Sequence, residues 1–373
     1  MPQGLVNTYD LTVGVIVDME NMIHMLDPSD TPLLGQYSAD GRSVLPKGTT
    51  FEKKVEWMDE TLLTPRDTLG EALDTTETAI DIDTANKFGV GDIILIDAEY
   101  MRVTGVNAAG TTLTVTRAYS GSAASHDDNA VVVGVGLALA EGSDPEAART
   151  VDRTARYNMT QIFGPYAVHV SGTEDVVRKY GLPGGSGEFS YQAGKLAREV
   201  AVAREQALLY GTRLDASDIR TMGGMAYYIS TNVDSSTTTF AEDKLLIQLQ
   251  ACYDAGGNPD RIVLGSKNKR LASAFATPVS SSTIHLDRAD RGRGTIVDHY
   301  ISDFGTAAFV LNRWCRTADV FVFERAQAEE VTLRPLQFEM LAKTGDSKKG
   351  QLLAETSLKF RREKHAAKFT ALT

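Results

Sequence analysis

Six histidines, His24, His126, His169, His285, His299 and His365, are the residues here best suited to metal or proton chemistry, yet no two sit at ligand spacing. Gly265-Ser266-Lys267 follows a short apolar run and has the glycine and lysine of a phosphate-cradling loop. The first glycine of such a loop is missing at the required distance, so no phosphate role follows. Asp81 and Asp83 could together touch a hard cation such as calcium, but a solvated strand face is the more ordinary use of that spacing. Cys252 and Cys315 are too few for a disulfide framework or a cysteine-spaced zinc site, which fits cytosolic synthesis. Neither a GxSxG elbow nor an HExxH pair occurs. The chain therefore reads as no enzyme, with no catalytic residues, no cofactor and no metal.

The stretch that the other elements are organised around is Ser186–Gly211. Phe189, Ala193, Leu196, Val200, Ala203, Ala207 and Tyr210 alternate at spacings of four and three, one apolar face of a helix over 188–210, with charges on the other face. The run starts after Pro183-Gly184-Gly185 and stops at Gly211, which suits a left-handed cap. Roughly 23 residues at ~1.5 Å each reach about 34 Å, the width of a domain.

The 373 residues are long enough for two or three compact units, and 42% apolar with 23% charged content is ordinary for a soluble chain. No run is apolar enough to cross a bilayer, and MPQGLVNTYD lacks the layout of a signal peptide. The net charge of −11 is uneven: twelve acids against Arg66 and Lys87 between Glu56 and Glu99 make −10. Near the C-terminus, Lys359, Arg361, Arg362, Lys364 and Lys368 outnumber Glu363. That basic strip suits either a nucleic-acid contact or a strand edge guarded by cations, the commoner case.

In chain order, residues 1–47 read as an arm. Met19, Met22, Ile23 and Leu26 form the face of a short helix ended by Asp27-Pro28. Its methionines suit a surface that packs against varying neighbours, or equally a gap-filling core. Thr49–Met58 reads as a strand with Phe51, Val55 and Trp57 as apolar members, its partner expected at Tyr157–Val170. Between them Thr78–Ile82, Asp92–Ile96, Tyr100–Val106, Thr111–Thr116 and Ala130–Val135 are short β runs, expected to build a small barrel or sandwich over about 69–135. After the long helix, Thr239 and Glu242 have capping-box spacing before a helix with Leu245, Leu246, Leu249, Cys252 and Tyr253 on one face. Arg261–Leu264, Thr295–Ile301, Ala307–Arg313 and Val320–Glu324 read as strands and Lys267–Ala276 as a helix. Val331–Leu341 and Gln351–Phe360 read as a long hairpin that needs the helix to cover it. The fold class is α+β.

This order of parts resembles the major capsid proteins of tailed bacteriophages, whose shell fold encapsulins share. The resemblance rests on Val55-Glu56-Trp57-Met58-Asp59-Glu60, Tyr157-Asn158-Met159-Thr160-Gln161-Ile162-Phe163, Val170-Ser171-Gly172-Thr173, the Arg220–Gly224 turn, Asp303-Phe304-Gly305, Leu333-Arg334-Pro335 and Ala342-Lys343-Thr344-Gly345-Asp346. It covers nearly the whole chain outside the β module. It implies an N-terminal arm at 1–47, an extended loop at 48–175 bearing the module, a peripheral domain at 176–222 and 325–373, and an axial domain at 223–324. It also implies no long leading segment to be cleaved away. Relatives that cross-link a loop lysine give no pattern to transfer to Lys87.

By the resemblance, the function expected is a self-assembling subunit of an icosahedral head around double-stranded DNA. The partners implied are the chain itself in hexamers and pentamers, non-specific DNA, and portal, scaffolding or decoration proteins, with no membrane; assembly would be in the host cytoplasm and the final place the virion. The alternatives are an encapsulin-like compartment and a surface- or glycan-binding β protein. Met19, Met22, Ile23, Leu26, Trp57 and Phe163 are the expected assembly-interface residues. Phe189, Leu196, Val200 and Tyr210 are the expected packing residues of the spine.

Overall fold

The computed structural model describes residues 28–35, 43–60, 62, 64–107, 109–139, 141–142, 153–177, 179, 187–216, 218–275 and 299–373. In chain order, β1 (Lys47–Thr49) and β2 (Lys54–Glu60) lead into β3 (Arg66–Thr68), β4 (Ala79–Asp81), β5 (Asp92–Ile96), β6 (Glu99–Val106), β7 (Thr112–Ser120) and β8 (Val131–Leu137). The chain returns through β9 (Arg153–Met159) and β10 (Gln161–Ser171), then α1 (Gly172–Val176) and the spine α2 (Glu188–Tyr210). Next come β11 (Leu214–Ala216), β12 (Ile219–Thr221), α3 (Met225–Tyr228), β13 (Asn232–Asp234), α4 (Glu242–Asp254), β14 (Arg261–Leu264) and α5 (Ser266–Ser273). The last strands are β15 (His299–Ser302), β16 (Gly305–Leu311), β17 (Val320–Phe323), β18 (Ala328–Met340), β19 (Ser347–Phe360) and β20 (Ala367–Phe369).

Two compact units result, Met58–Ala155 and the remainder of the chain. In the smaller, six strands pair in the order β3-β8-β5-β6-β7-β4. A bridge between Leu69 and Ile82 joins the two outer strands, so the sheet closes into a barrel and leaves little open edge. The two-residue side-chain period fills it: Ile94 and Ile96, Met101 and Val103, and Leu113 and Val115 alternate inward beside Ile80 and Val132.

The larger unit holds two sheets. One, β1-β18-β19-β10, is a long antiparallel hairpin flanked by a parallel β1 and an antiparallel β10. The other runs β13-β20-β17-β14-β16-β15 and mixes parallel with antiparallel pairs. Its central β17 is buried on both faces, which explains its uninterrupted apolar sequence. Val320 and Val322 pack among Leu245, Leu249, Ile262 and Phe369, while Phe321 and Phe323 pack on the opposite side with the spine's Leu208 and Leu209. β17 thus joins two cores, as does its neighbour β14, with Val263 in one and Ile262 and Leu264 in the other.

Several expectations need correction. The partner of β2 is β9, and the stretch 157–170 does not continue as one strand. It breaks at Thr160, whose hydroxyl donates to Glu355 at 2.7 Å, and β10 then pairs with β19. Phe51 is no strand member; it lies in a bend before β2 and is 98% exposed. The capping box does not form, because α4 begins at Glu242 itself after an extended Ala241. On α4, Leu245, Leu249 and Cys252 are buried but Tyr253 is exposed. Finally β20 leaves the 325–373 segment's other strands and joins the sheet of β14 and β17, where Phe369 meets Phe240 edge-on at 5.6 Å.

Candidate functional site

A chain whose sequence carries no recognised catalytic motif can still act through surfaces, and among the described residues the spine determines which of them remain. α2 runs over the expected residues, Glu188–Tyr210. Phe189 and Val200 are buried, whereas Leu196 and Tyr210 pack against the cores while keeping partial exposure. Phe189 sits edge-on to Phe338 at 5.7 Å and Tyr210 edge-on to Phe321 at 5.9 Å, so the two ends of the helix grip different sheets. Gly211 caps the helix with φ −54°, so it is not left-handed. Its small size has another reason: a Cβ there would lie 2.5 Å from the Met222 carbonyl oxygen and 2.6 Å from that of Ala207.

The charged face is also not wholly solvated. Arg204 and Glu205, in the last third of the helix, are both buried together with Ala201, Leu208 and Leu209. Arg204 pairs with the buried Glu330 of β18. Glu205 accepts the backbone N–H of Leu33 at 2.9 Å and of Leu34 at 3.1 Å, and the side-chain amide of Asn312 at 2.7 Å. Burial pushes its carboxyl up to about 7, although these three donors favour the charge. On β19, Glu355 accepts from Thr160, Arg220 and, at 2.8 Å, Arg334. Burial would raise its carboxyl, but those donors more than offset that and hold it below the usual range. Asn158 completes the framework, donating to the carbonyls of Gly223 at 3.0 Å and Leu358 at 2.6 Å. Polar groups at these depths are costly unless satisfied, so they fix the spine, the hairpin and the arm root in one arrangement.

The barrel holds a comparable cluster that sequence reasoning missed. Glu99 receives two bonds from Arg117, both at 2.8 Å, and backbone N–H groups of Ala118 and Ala124. The buried His126 ring lies 2.7 Å from Asp97 and 3.1 Å from Glu99. Burial opposes the Glu99 charge, yet the Arg117, Ala124, Ala118 and His126 contacts bring its carboxyl down to about 2. Asp81 and Asp83 each accept a threonine hydroxyl, from Thr112 at 2.8 Å and Thr68 at 3.2 Å. Among the described residues no group of three His, Cys, Asp or Glu side chains converges as a metal would require. Gly265 precedes α5 directly after β14 as the motif suggested, but a Cβ on it would lie 2.8 Å from the Cys315 carbonyl oxygen, so packing accounts for the glycine.

Of the expected interface residues, Met19, Met22, Ile23 and Leu26 lie outside the described residues. Trp57 and Phe163 are 6% and 4% exposed, both in the larger unit's main core, so their side chains are committed within the subunit. The apolar side chains left uncovered are others. Phe51, Val176, Ile219 and Ile301 are each more than half exposed, and they come from separate places: the bend before β2, the end of α1, β12 and β15. Scattered singly over four elements, they form no contiguous patch that would by itself mark an interface. In sequence, nothing separates them from core residues. No helix among the described residues is long and apolar enough to cross a membrane.

A sequence model of the SU10 major capsid protein family matches residues 3–373. No curated protein matches the chain. Among solved structures, one from Microbacterium phage Oxtober96 superposes with a TM-score of 0.55 at 12% identity, over 99% of this chain and 100% of that one. The capsid of Myoviridae phage XM1 gives 0.52 at 11% identity, and the capsid of a native GTA particle 0.52 at 9%, both again over 99% and 100%.

Proposed function

The chain belongs to the SU10 major capsid protein family, and from that premise we propose that many copies of it close into an icosahedral head around double-stranded DNA. It is a structural capsid subunit with the phage capsid fold. The observation that carries the proposal is the family match over residues 3–373, nearly the whole of the given sequence. The proposed division is the one the sequence suggested, arm 1–47, extended loop 48–175, peripheral 176–222 and 325–373, axial 223–324, except that β20 pairs with the axial strands β13 and β17. Such a lattice needs many modest, repeated contacts instead of one strong site. Each apolar side chain buried on association contributes roughly 1.5–3 kcal/mol, so a few per contact, repeated over the shell, are enough. Hexamers and pentamers would be the building units, with portal and scaffolding or decoration proteins as partners and the host cytoplasm as the place of assembly.

Negative-stain microscopy of the expressed chain tests this directly. Closed particles that yield DNA when isolated from infected cells are the expected result. A chain that stays monomeric at high concentration overturns the shell, and closed particles filled with an enzyme instead of DNA turn the reading to an encapsulin-like compartment.

A further inference from the structure

The contact between the arm root and the spine has an unusual electrostatic design. Residues 28–35 lead the chain into the larger unit, and Leu33 and Leu34 are fully buried in its core. Their backbone N–H groups end on the carboxylate of Glu205, which has no solvent exposure. Its third donor is the Asn312 amide. Among the described residues no cation is in contact with it. The neighbouring Arg204 is turned to Glu330, and that carboxylate's charge bears on Glu205 from β18. Beyond Asn312, Arg313 is engaged by Asp30 of the arm root at 2.7 Å. Glu205 is thus a buried acid facing neutral donors and one like charge, an arrangement that makes ionisation expensive while the arm root covers it.

We propose that Glu205 is a pH-sensitive latch on the arm root, holding residues 30–34 against the spine while neutral and letting them loosen as it ionises. The sign follows from linkage. With the root lifted, Glu205 meets water and titrates as an ordinary carboxyl near 4.5; under the root it titrates near 7. Between those values the latched form binds more protons, so its advantage is fully present below about 4.5 and is lost as pH rises through about 7.

Trp314 supplies the readout, because its indole N–H donates to the Asp30 carbonyl at 2.9 Å, at the end of the latched segment. In the full-length chain, Trp314 emission, taken as the difference from a Trp314→Phe control, should shift to the red with a midpoint near pH 7. Glu205→Gln, which cannot ionise, should remove the transition. Glu330→Gln, which deletes the like charge, should move its midpoint to lower pH, and circular dichroism checks that each variant is folded. Absence of any wild-type transition between pH 5 and 9 overturns the latch, as does an unchanged transition in folded Glu205→Gln.

Discussion

Glu99 shows how a single carboxylate can carry much of a small barrel's stability. It is buried with Arg117 on one side and His126 on the other, and its ionised form is the one these contacts select. A carboxyl held at about 2 when folded and near 4.5 when unfolded contributes stability that is complete above 4.5 and lost as pH falls through 2. Glu99→Gln should therefore lower the barrel's stability by about 3 kcal/mol at neutral pH, because Arg117 is left buried without its counter-charge, and the deficit should shrink towards pH 2. Thermal unfolding of both forms at pH 3 and pH 7 checks it; an equal deficit at both would mean that the Glu99 charge is not what is lost. None of this was legible in the sequence. Acids and bases are read as surface by default, and only long-range pairing distinguishes Glu99, Arg204, Glu205 and Glu355 from their solvated neighbours.

At the scale of elements, the spine was legible because its signals are local: breakers at both ends and one apolar period between them. Its surroundings were not. The long strand expected over 157–170 divides at Thr160, a β-branched residue that looks like a continuing strand, and the turn is made by side-chain bonds to distant partners. The spine's packing gives a sharp test. Val200 is buried in the main cluster against the sheet of β10 and β19, so Val200→Asp places a charge with no partner there and should cost more than about 3 kcal/mol, a large part of the 5–15 that hold a typical domain. Lys195→Gln, on the exposed face five residues earlier, should stay within about 0.5 kcal/mol of wild type. Denaturant midpoints of the two variants decide it, and equal midpoints would remove the spine from its proposed role.

Across the whole molecule the strongest asymmetry is charge. Between Met58 and Ala155 the sequence has seventeen acids and six bases, so that unit carries −11, and the remainder, with thirty-two of each, is neutral. Barrel closure itself was only half visible beforehand, since even spacing announces short strands but the Leu69–Ile82 bridge that shuts the sheet is a long-range event. In a shell around DNA, the inner wall faces dense phosphate, and a unit of −11 placed there would be repelled at any ionic strength low enough to leave surface charge unscreened. Facing outward, the same charge keeps particles apart. We therefore expect the barrel on the outer surface of the particle and dispensable for the rest of the fold. Its ends favour excision: β2 and β9 pair with each other, and Arg153 reaches Glu60 at 3.3 Å, so a short Gly-Ser turn can replace residues 61–152. The shortened chain should remain soluble and lose its excess negative charge, moving its isoelectric point from about 5.1 towards neutrality. An electron-microscopy map of intact particles locates the barrel, and density for it on the inner wall, or failure of the shortened chain to fold at all, would end this assignment.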